Sequence, residues 1–261
     1  MIKLNNTVVP QEHFPDGTLL MKYTEGYLPN ENVIDWKYEN DAELFSLICL
    51  TKYIQEHNPK ARIKLVMPYL PHARMDRVKS SQDVFTLKYF CEIINSLNFD
   101  EVWVMDAHSS VGPALLDRVC NIKPWSHIQD AIYNIPDGRE LVAFYPDEGA
   151  MKRYHGDVSL PYAFGIKKRN WETGAIEGLD VIGDVEDADI IMIDDICSKG
   201  GTFYHSAKKL KELGAKDIYV YVTHCEDSIH EGELLKDNDL IKHIYTTDSL
   251  ITKPHEKITI L

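Results

Sequence analysis

The sequence predicts an α/β protein made of two similar lobes, each a mainly parallel sheet flanked by helices. Three observations carry that prediction. Short apolar runs alternate with amphipathic stretches, the pattern of parallel strands joined by right-handed helical crossovers. The pattern occurs twice, which divides the chain near residue 124 into lobes 1–124 and 125–261. Charged groups suited to phosphates recur just after the strands, where open parallel sheets bind their ligands.

In chain order, residues 1–30 read as irregular, with turns at Pro10, Pro15-Asp16-Gly17 and Pro29 and a strand candidate at Thr18–Tyr23. Val33–Tyr38 alternates as a strand does, and Asp41 is placed to cap a helix carrying Leu44, Leu47, Ile48 and Ile54 on one face. Ile63–Met67 is a strand stopped by Pro68, followed by an exposed basic loop from Pro71 to Ser81. A helix over Phe85–Leu97 leads to a strand Val102–Met105 that closes in Asp106-Ala107-His108. The second set runs through a helix at Trp125–Tyr133, a strand Leu141–Tyr145 ending in Pro146-Asp147-Glu148-Gly149, and a helix over Met151–His155. Strands near Tyr162–Ile166, Ile218–Val222 and Ile241–Tyr245 complete it, with the cationic triplet Lys167-Lys168-Arg169 after the first.

One stretch, Ile190 to Thr202, organises the second lobe. Ile190-Ile191-Met192-Ile193 is apolar on both faces and reads as a buried strand. It ends in Asp194-Asp195, then in a turn holding Ser198, Lys199, Gly200, Gly201 and Thr202. Beyond it, Ala207, Leu210 and Leu213 recur at helical spacing and Gly214 is placed to end the helix. A strand, a glycine turn and a helix N-terminus form an anion site, because backbone N–H groups and the helix dipole both favour negative charge. Asp194 and Asp195 would repel a phosphate unless they bind ribose hydroxyls or a shared hard cation. A solvated turn with a capping carboxylate is the plain alternative, but it does not explain two carboxylates beside the glycines.

Composition bounds the function classes. The 261 residues suffice for two lobes with real cores, at 44% hydrophobic and 26% charged. A formal charge of −13 argues against a nucleic-acid surface. No apolar run spans a bilayer, and Met1-Ile2-Lys3 opens no signal peptide, so a cytoplasmic protein without membrane contact is expected. Cys49, Cys91, Cys120, Cys197 and Cys225 have no metal-like spacing and read as reduced thiols, mostly core filler. Trp103 and Trp171 read as packing residues, and His224 as structural.

The motifs, taken in order, resemble those of the ribose-phosphate diphosphokinases (phosphoribosyl-pyrophosphate synthetases), over most of the chain. Phe14-Pro15-Asp16-Gly17 resembles the turn that reaches a neighbouring subunit's ATP site, and Pro68-Tyr69 through Ala73-Arg74-Met75-Asp76-Arg77 the ATP loop. Asp106-Ala107-His108 resembles the strand end whose histidine lies by the metal–ATP complex. Pro146-Asp147-Glu148-Gly149 resembles the pyrophosphate loop, Lys167 and Arg169 the K-x-R pair that steadies the transferring phosphates, and Asp194–Thr202 the ribose 5-phosphate loop.

The resemblance implies phosphoribosyltransferase-like lobes and attack by the anomeric 1-hydroxyl of a ribose phosphate on the β-phosphorus of Mg-ATP, releasing AMP. It implies Lys167, Arg169, Arg74 and His108 as catalytic groups, and Phe14, Asp16, Arg74, Asp76, Arg77 and His108 at ATP. Asp194, Asp195, Ser198, Lys199, Gly200, Gly201 and Thr202 would hold the ribose phosphate, and His108 and Asp147 the Mg²⁺. A homodimer or larger assembly is implied by the Phe14–Gly17 turn.

The chain departs from the family pattern at Ser198 and Lys199, which replace an acidic residue and a threonine, and at Thr18 and Met75. Both termini are short, which sets the chain apart from the family's allosteric hexamer. A more positive loop suits an acceptor whose 5-substituent carries more negative charge than one phosphate, such as the diphosphate of ADP-ribose. Two other classes share the fold: a salvage phosphoribosyltransferase, which needs no Arg74–Arg77 loop, and a regulatory homologue, which tends to lose its cations.

Overall fold

A computed structural model describes residues 1–23, 28–169, 176–236 and 239–261. The chain divides into two compact units, Met1–Lys123 and Pro124–Leu261.

The first unit holds β1 (Ile2–Leu4), β2 (Thr7–Val8), β3 (Glu12–His13), β4 (Leu19–Leu20), β5 (Glu31–Trp36), α1 (Ala42–His57), β6 (Arg62–Val66), α2 (Thr86–Ser96), β7 (Glu101–Met105), α3 (Val111–Leu115) and β8 (Val119–Ile122). Among the described residues its main sheet runs β2-β1-β5-β6-β7-β8, parallel from β5 to β8 and antiparallel across β1. Strand alternation sends Ile34, Trp36, Ile63, Leu65, Val102 and Val104 to one face, where they bury against Leu47, Leu50 and Ile54 of α1 and Leu87, Phe90 and Ile94 of α2.

The segment read as irregular thus contains β1 and β2. Strands of two and three residues are too short for alternation to show in the sequence. The strand expected over Thr18–Tyr23 contracts to Leu19–Leu20, paired with Glu12–His13 as a hairpin. Asp41 precedes α1 but makes no cap bond. Its carboxylate instead accepts from Tyr38 Oη at 2.9 Å and lies 3.1 Å from His72 Nε2. The stronger anchor is Glu43, buried, which accepts from Trp36 Nε1 at 3.0 Å and Glu39 N at 2.9 Å and also meets the Met1 ammonium.

The second unit holds α4 (Trp125–Tyr133), β9 (Leu141–Tyr145), α5 (Glu148–Tyr154), β10 (Tyr162–Arg169), β11 (Ile176–Ile182), β12 (Asp189–Cys197), α6 (Gly201–Glu212), β13 (Ile218–Cys225), β14 (His243–Thr246) and β15 (Ile258–Ile260). Its sheet runs β11-β10-β9-β12-β13-β14-β15 among the described residues, parallel except for β10 with β11. Apolar clusters cover both faces. Ile190, Met192, Val220 and Val222 pack with Phe203, Ala207 and Leu210 of α6, while Ile191, Ile193 and Tyr221 pack with Ile128, Ala150 and Tyr154. That double burial is why the β12 sequence is continuously hydrophobic. Gly214 ends α6 with φ +93°, as its placement implied. Trp103 is half-buried under Lys64 Nζ, 3.1 Å from the ring centroid, and Trp171 lies outside the described residues. His224 is buried and shares a hydrogen bond with Ser249 Oγ at 2.8 Å.

Candidate active site

In the second unit, two strand-to-helix turns carry the polar residues. The first follows β9. Asp147 is the N-cap of α5, and its Oδ1 accepts from Gly149 N at 3.0 Å and Ala150 N at 3.1 Å. This capping starts the helix at Glu148, three residues before the apolar pattern suggested. The turn is hemmed in by Gly165 of β10, where a Cβ would stand 2.8 Å from the Pro146 carbonyl oxygen.

The second turn follows β12. Gly200 takes a left-handed conformation (φ +75°) and is the N-cap of the twelve-residue α6, so the first amides of that helix are presented at Gly201 and Thr202, both exposed. A Cβ on Gly200 would stand 2.9 Å from Leu234 Cδ2. Behind the turn, a 3-10 segment over Asp227–Glu231 ends at Gly232, where a Cβ would fall 1.7 Å from the Lys199 carbonyl oxygen. Only glycine permits that approach. Lys199 Nζ reaches Glu231 Oε2 at 2.9 Å, and this pairing holds the exposed Glu231 carboxyl below its ordinary range.

Asp194 and Asp195 are adjacent carboxylates within β12, which continues to Cys197, two residues past the end that the sequence pattern implied. Asp194 Oδ1 accepts from Asp195 N at 2.9 Å. Burial first, then the adjacent Asp195 charge, pushes the Asp194 carboxyl well above the ordinary carboxylate range, with Asp147 adding to it. Asp195 is buried and its Oδ1 lies 3.2 Å from Arg153 Nη1 of α5. Next to the pair, a hydrogen bond with Cys225, its register partner on β13, together with burial raises the Cys197 thiol well above its usual range. A thiol so held is not a nucleophile.

Lys167 and Arg169 fall at the end of β10, where the register with β11 shifts between Lys168 and Arg169. Their side chains lie outside the described structure.

In the first unit, the exposed loop brings its one buried acid to the end of β7. Asp76 accepts from Arg77 Nε at 2.6 Å and Nη2 at 3.0 Å, bonds Ser109 and feels the charge of His108. The Arg77 fork chiefly holds its carboxyl down at about 2, against burial. Arg74 and Arg77 are exposed on this loop, and His108 is half-buried. Asp106 turns the chain there with φ +45°. The Phe14–Gly17 turn joins β3 to β4. Asp16 Oδ1 accepts from Thr18 N at 3.0 Å and Thr18 Oγ1 at 2.7 Å, Gly17 has φ +84°, and Phe14 is left half exposed. A groove of about 820 Å³ lies beside this hairpin, lined by Gln11, His13, Thr18, Ser46 and Phe45.

Among the described residues no three His, Cys, Asp or Glu side chains form a metal-binding group. Mg²⁺ takes one or two protein carboxylates and leaves its other positions to water and substrate phosphates. Asp147 can supply the carboxylate; imidazole nitrogen is a poor donor to so hard an ion.

Sequence reasoning missed Arg153, Gly165, Glu231 and Gly232. A lone glycine inside a strand pattern was a usable signal for Gly165. Nothing local marks Arg153, whose partner is 42 positions away.

Comparison with known proteins places these turns in context. Residues 170–259 match the phosphoribosyl synthetase-associated domain family. The ribose-phosphate pyrophosphokinase of Clostridium tetani is 32% identical over 214 residues, covering 77% of this chain and 65% of that one. The ribose-phosphate pyrophosphokinase of Pyrococcus abyssi is 28% identical over 246 residues, covering 92% and 83%. The chain thus spans just under two thirds of the Clostridium tetani relative. The crystal structure of phosphoribosylpyrophosphate synthetase from Mycobacterium smegmatis superposes with a TM-score of 0.79 over 97% of this chain and 85% of its own, at 19% identity, which establishes the shared fold.

Proposed function

The chain belongs to the ribose-phosphate pyrophosphokinase family, and from that membership we propose that it transfers the β,γ-diphosphate of ATP to the anomeric 1-hydroxyl of a ribose 5-phosphate-type acceptor. The carrying observation is the β12 turn: a left-handed Gly200 opening α6 beside the Asp194–Asp195 pair, with Asp195 buried and Asp194 half-buried. The helix amides receive the 5-substituent, and the carboxylates take the ribose hydroxyls.

The attacking 1-oxygen forms a bond to the β-phosphorus, the bond from that phosphorus to the α-bridging oxygen breaks, and AMP leaves. The hydroxyl proton is released. Such transfer needs positioning and charge neutralisation more than covalent help from the protein. Arg74, Lys167 and Arg169 supply cations to the phosphates, and His108 donates to a phosphate oxygen. Arg77, Asp76, Phe14 and Asp16 shape the nucleotide's surroundings. Mg²⁺, when bound through Asp147, neutralises phosphate charge. Removing any one of the three cations should lower kcat by about 10²–10³-fold. The enzyme acts in the cytoplasm as a homodimer or larger assembly.

The acceptor is ADP-ribose or a similarly charged relative, in preference to ribose 5-phosphate. Ser198 and Lys199 support this, since Lys199 lies at the turn and pairs with an exposed carboxylate, that of Glu231, which a diphosphate can displace. An AMP-release assay with Mg-ATP, comparing both acceptors with products identified by mass, tests the proposal. AMP formed with one acceptor gaining a diphosphate supports it; a higher kcat/KM for ribose 5-phosphate removes the acceptor preference alone. No AMP with either, while nucleotide binds, indicates a regulatory homologue. Pyrophosphate-sugar consumption indicates a phosphoribosyltransferase.

A further inference from the structure

We propose that Arg153 is a positioning residue for the acceptor, acting through Asp195 and tying the α5 turn to the β12 turn. α5 has a functional turn at one end and this arginine at the other. Asp147 caps its start and Arg153 lies in its last turn, six residues on, about 9 Å along the axis. There Arg153 Nη1 meets Asp195 Oδ1 at 3.2 Å, with side chains 25% and 5% exposed. The guanidinium also lies against the Tyr154 ring, 5.6 Å from its centroid, and Tyr154 is itself fully buried against Tyr145.

Two adjacent carboxylates, Asp195 buried and Asp194 half-buried, repel each other, and a cation within ion-pair distance of one of them favours the charged form of that one. Asp195 is the one held, and Asp194 carries the repulsion. An Asp195 carboxylate restrained by this ion pair is pre-organised, the condition for meeting a sugar hydroxyl with little entropic loss. Because Arg153 stands on the helix that Asp147 caps, a shift of that turn moves the cation that holds Asp195.

The inference rests on the β12 turn being the acceptor site. Its test is calorimetric binding of ribose 5-phosphate, ADP-ribose and ATP to wild type, Arg153→Lys and Arg153→Met, with thermal unfolding of each. Arg153→Met should weaken the tighter-binding acceptor by about 10- to 100-fold and leave ATP binding unchanged. Arg153→Lys, which keeps the charge on a differently shaped head group, should recover part of that loss. Acceptor affinity equal to wild type in Arg153→Met overturns the inference, as does equal weakening of acceptor and ATP alongside a lowered Tm. Should Arg153→Met not fold, wild-type acceptor affinity in Arg153→Lys overturns it. Binding without AMP release defeats the diphosphotransfer reading alone. AMP release with Arg153 variants that bind like wild type defeats the inference alone.

Discussion

At the scale of single residues, two aspartates combine structural and chemical duties that substitutions can separate. Asp194 is held above the ordinary carboxylate range by burial and by Asp195. A raised native value means that the folded state binds the proton more tightly than the unfolded chain does. The stability from this group is therefore complete below about pH 4 and lost as pH rises through the native value. Asp194→Asn should raise Tm at pH 7.5, by about 2–4 °C for each kcal/mol of relieved repulsion, while acceptor binding falls. The Tm gain should shrink toward pH 4. A Tm at pH 7.5 below wild type would show that Asp194 is not repelled in the fold. Asp147 caps α5 through Oδ1. Asp147→Ala should cost about 1 kcal/mol of stability, whereas Asp147→Asn keeps the cap. Both should abolish AMP release if the charge holds the metal complex; an active Asp147→Asn would remove that role.

At the scale of elements, the β12 turn depends on a segment remote in sequence. The 3-10 segment over Asp227–Glu231 and Gly232 press on the turn's back, with Leu234 beneath Gly200. A methyl at Gly232 meets backbone at 1.7 Å, where no rotamer change helps. Gly232→Ala should therefore displace Lys199 and Gly200, costing about 1–3 kcal/mol and weakening acceptor binding, with ATP binding retained. Unchanged acceptor affinity in calorimetry would show that the turn does not rely on this wall. The same contact explains why Lys199 was legible as a charge at the turn and its Glu231 partner was not: 32 positions separate the two.

At the scale of the whole molecule, the second unit has a core on each face of its sheet. Residues 124–261 expressed alone should unfold cooperatively, by calorimetry and circular dichroism together. Non-coincident transitions with dye binding would mean that this unit is incomplete by itself. No helix among the described residues is long and apolar enough to cross a membrane.

The sequence by itself determined the α/β class, the alternation of strands and helices, and the ordered turns that mark the family. These are local or periodic signals: β12 is apolar on both faces because both are covered, and Gly200 takes the left-handed conformation from which α6 starts. Short strands such as β1, β2, β8 and β15 escaped it, because two to four residues stabilised by a neighbour leave no period to read. The tertiary structure alone decided that Asp41 bonds Tyr38 rather than capping α1, that Arg77 holds Asp76, and that Arg153 holds Asp195. A charge's partner depends on which side chains packing brings within a few ångströms, and apart from neighbours in sequence that is set by the assembled sheet.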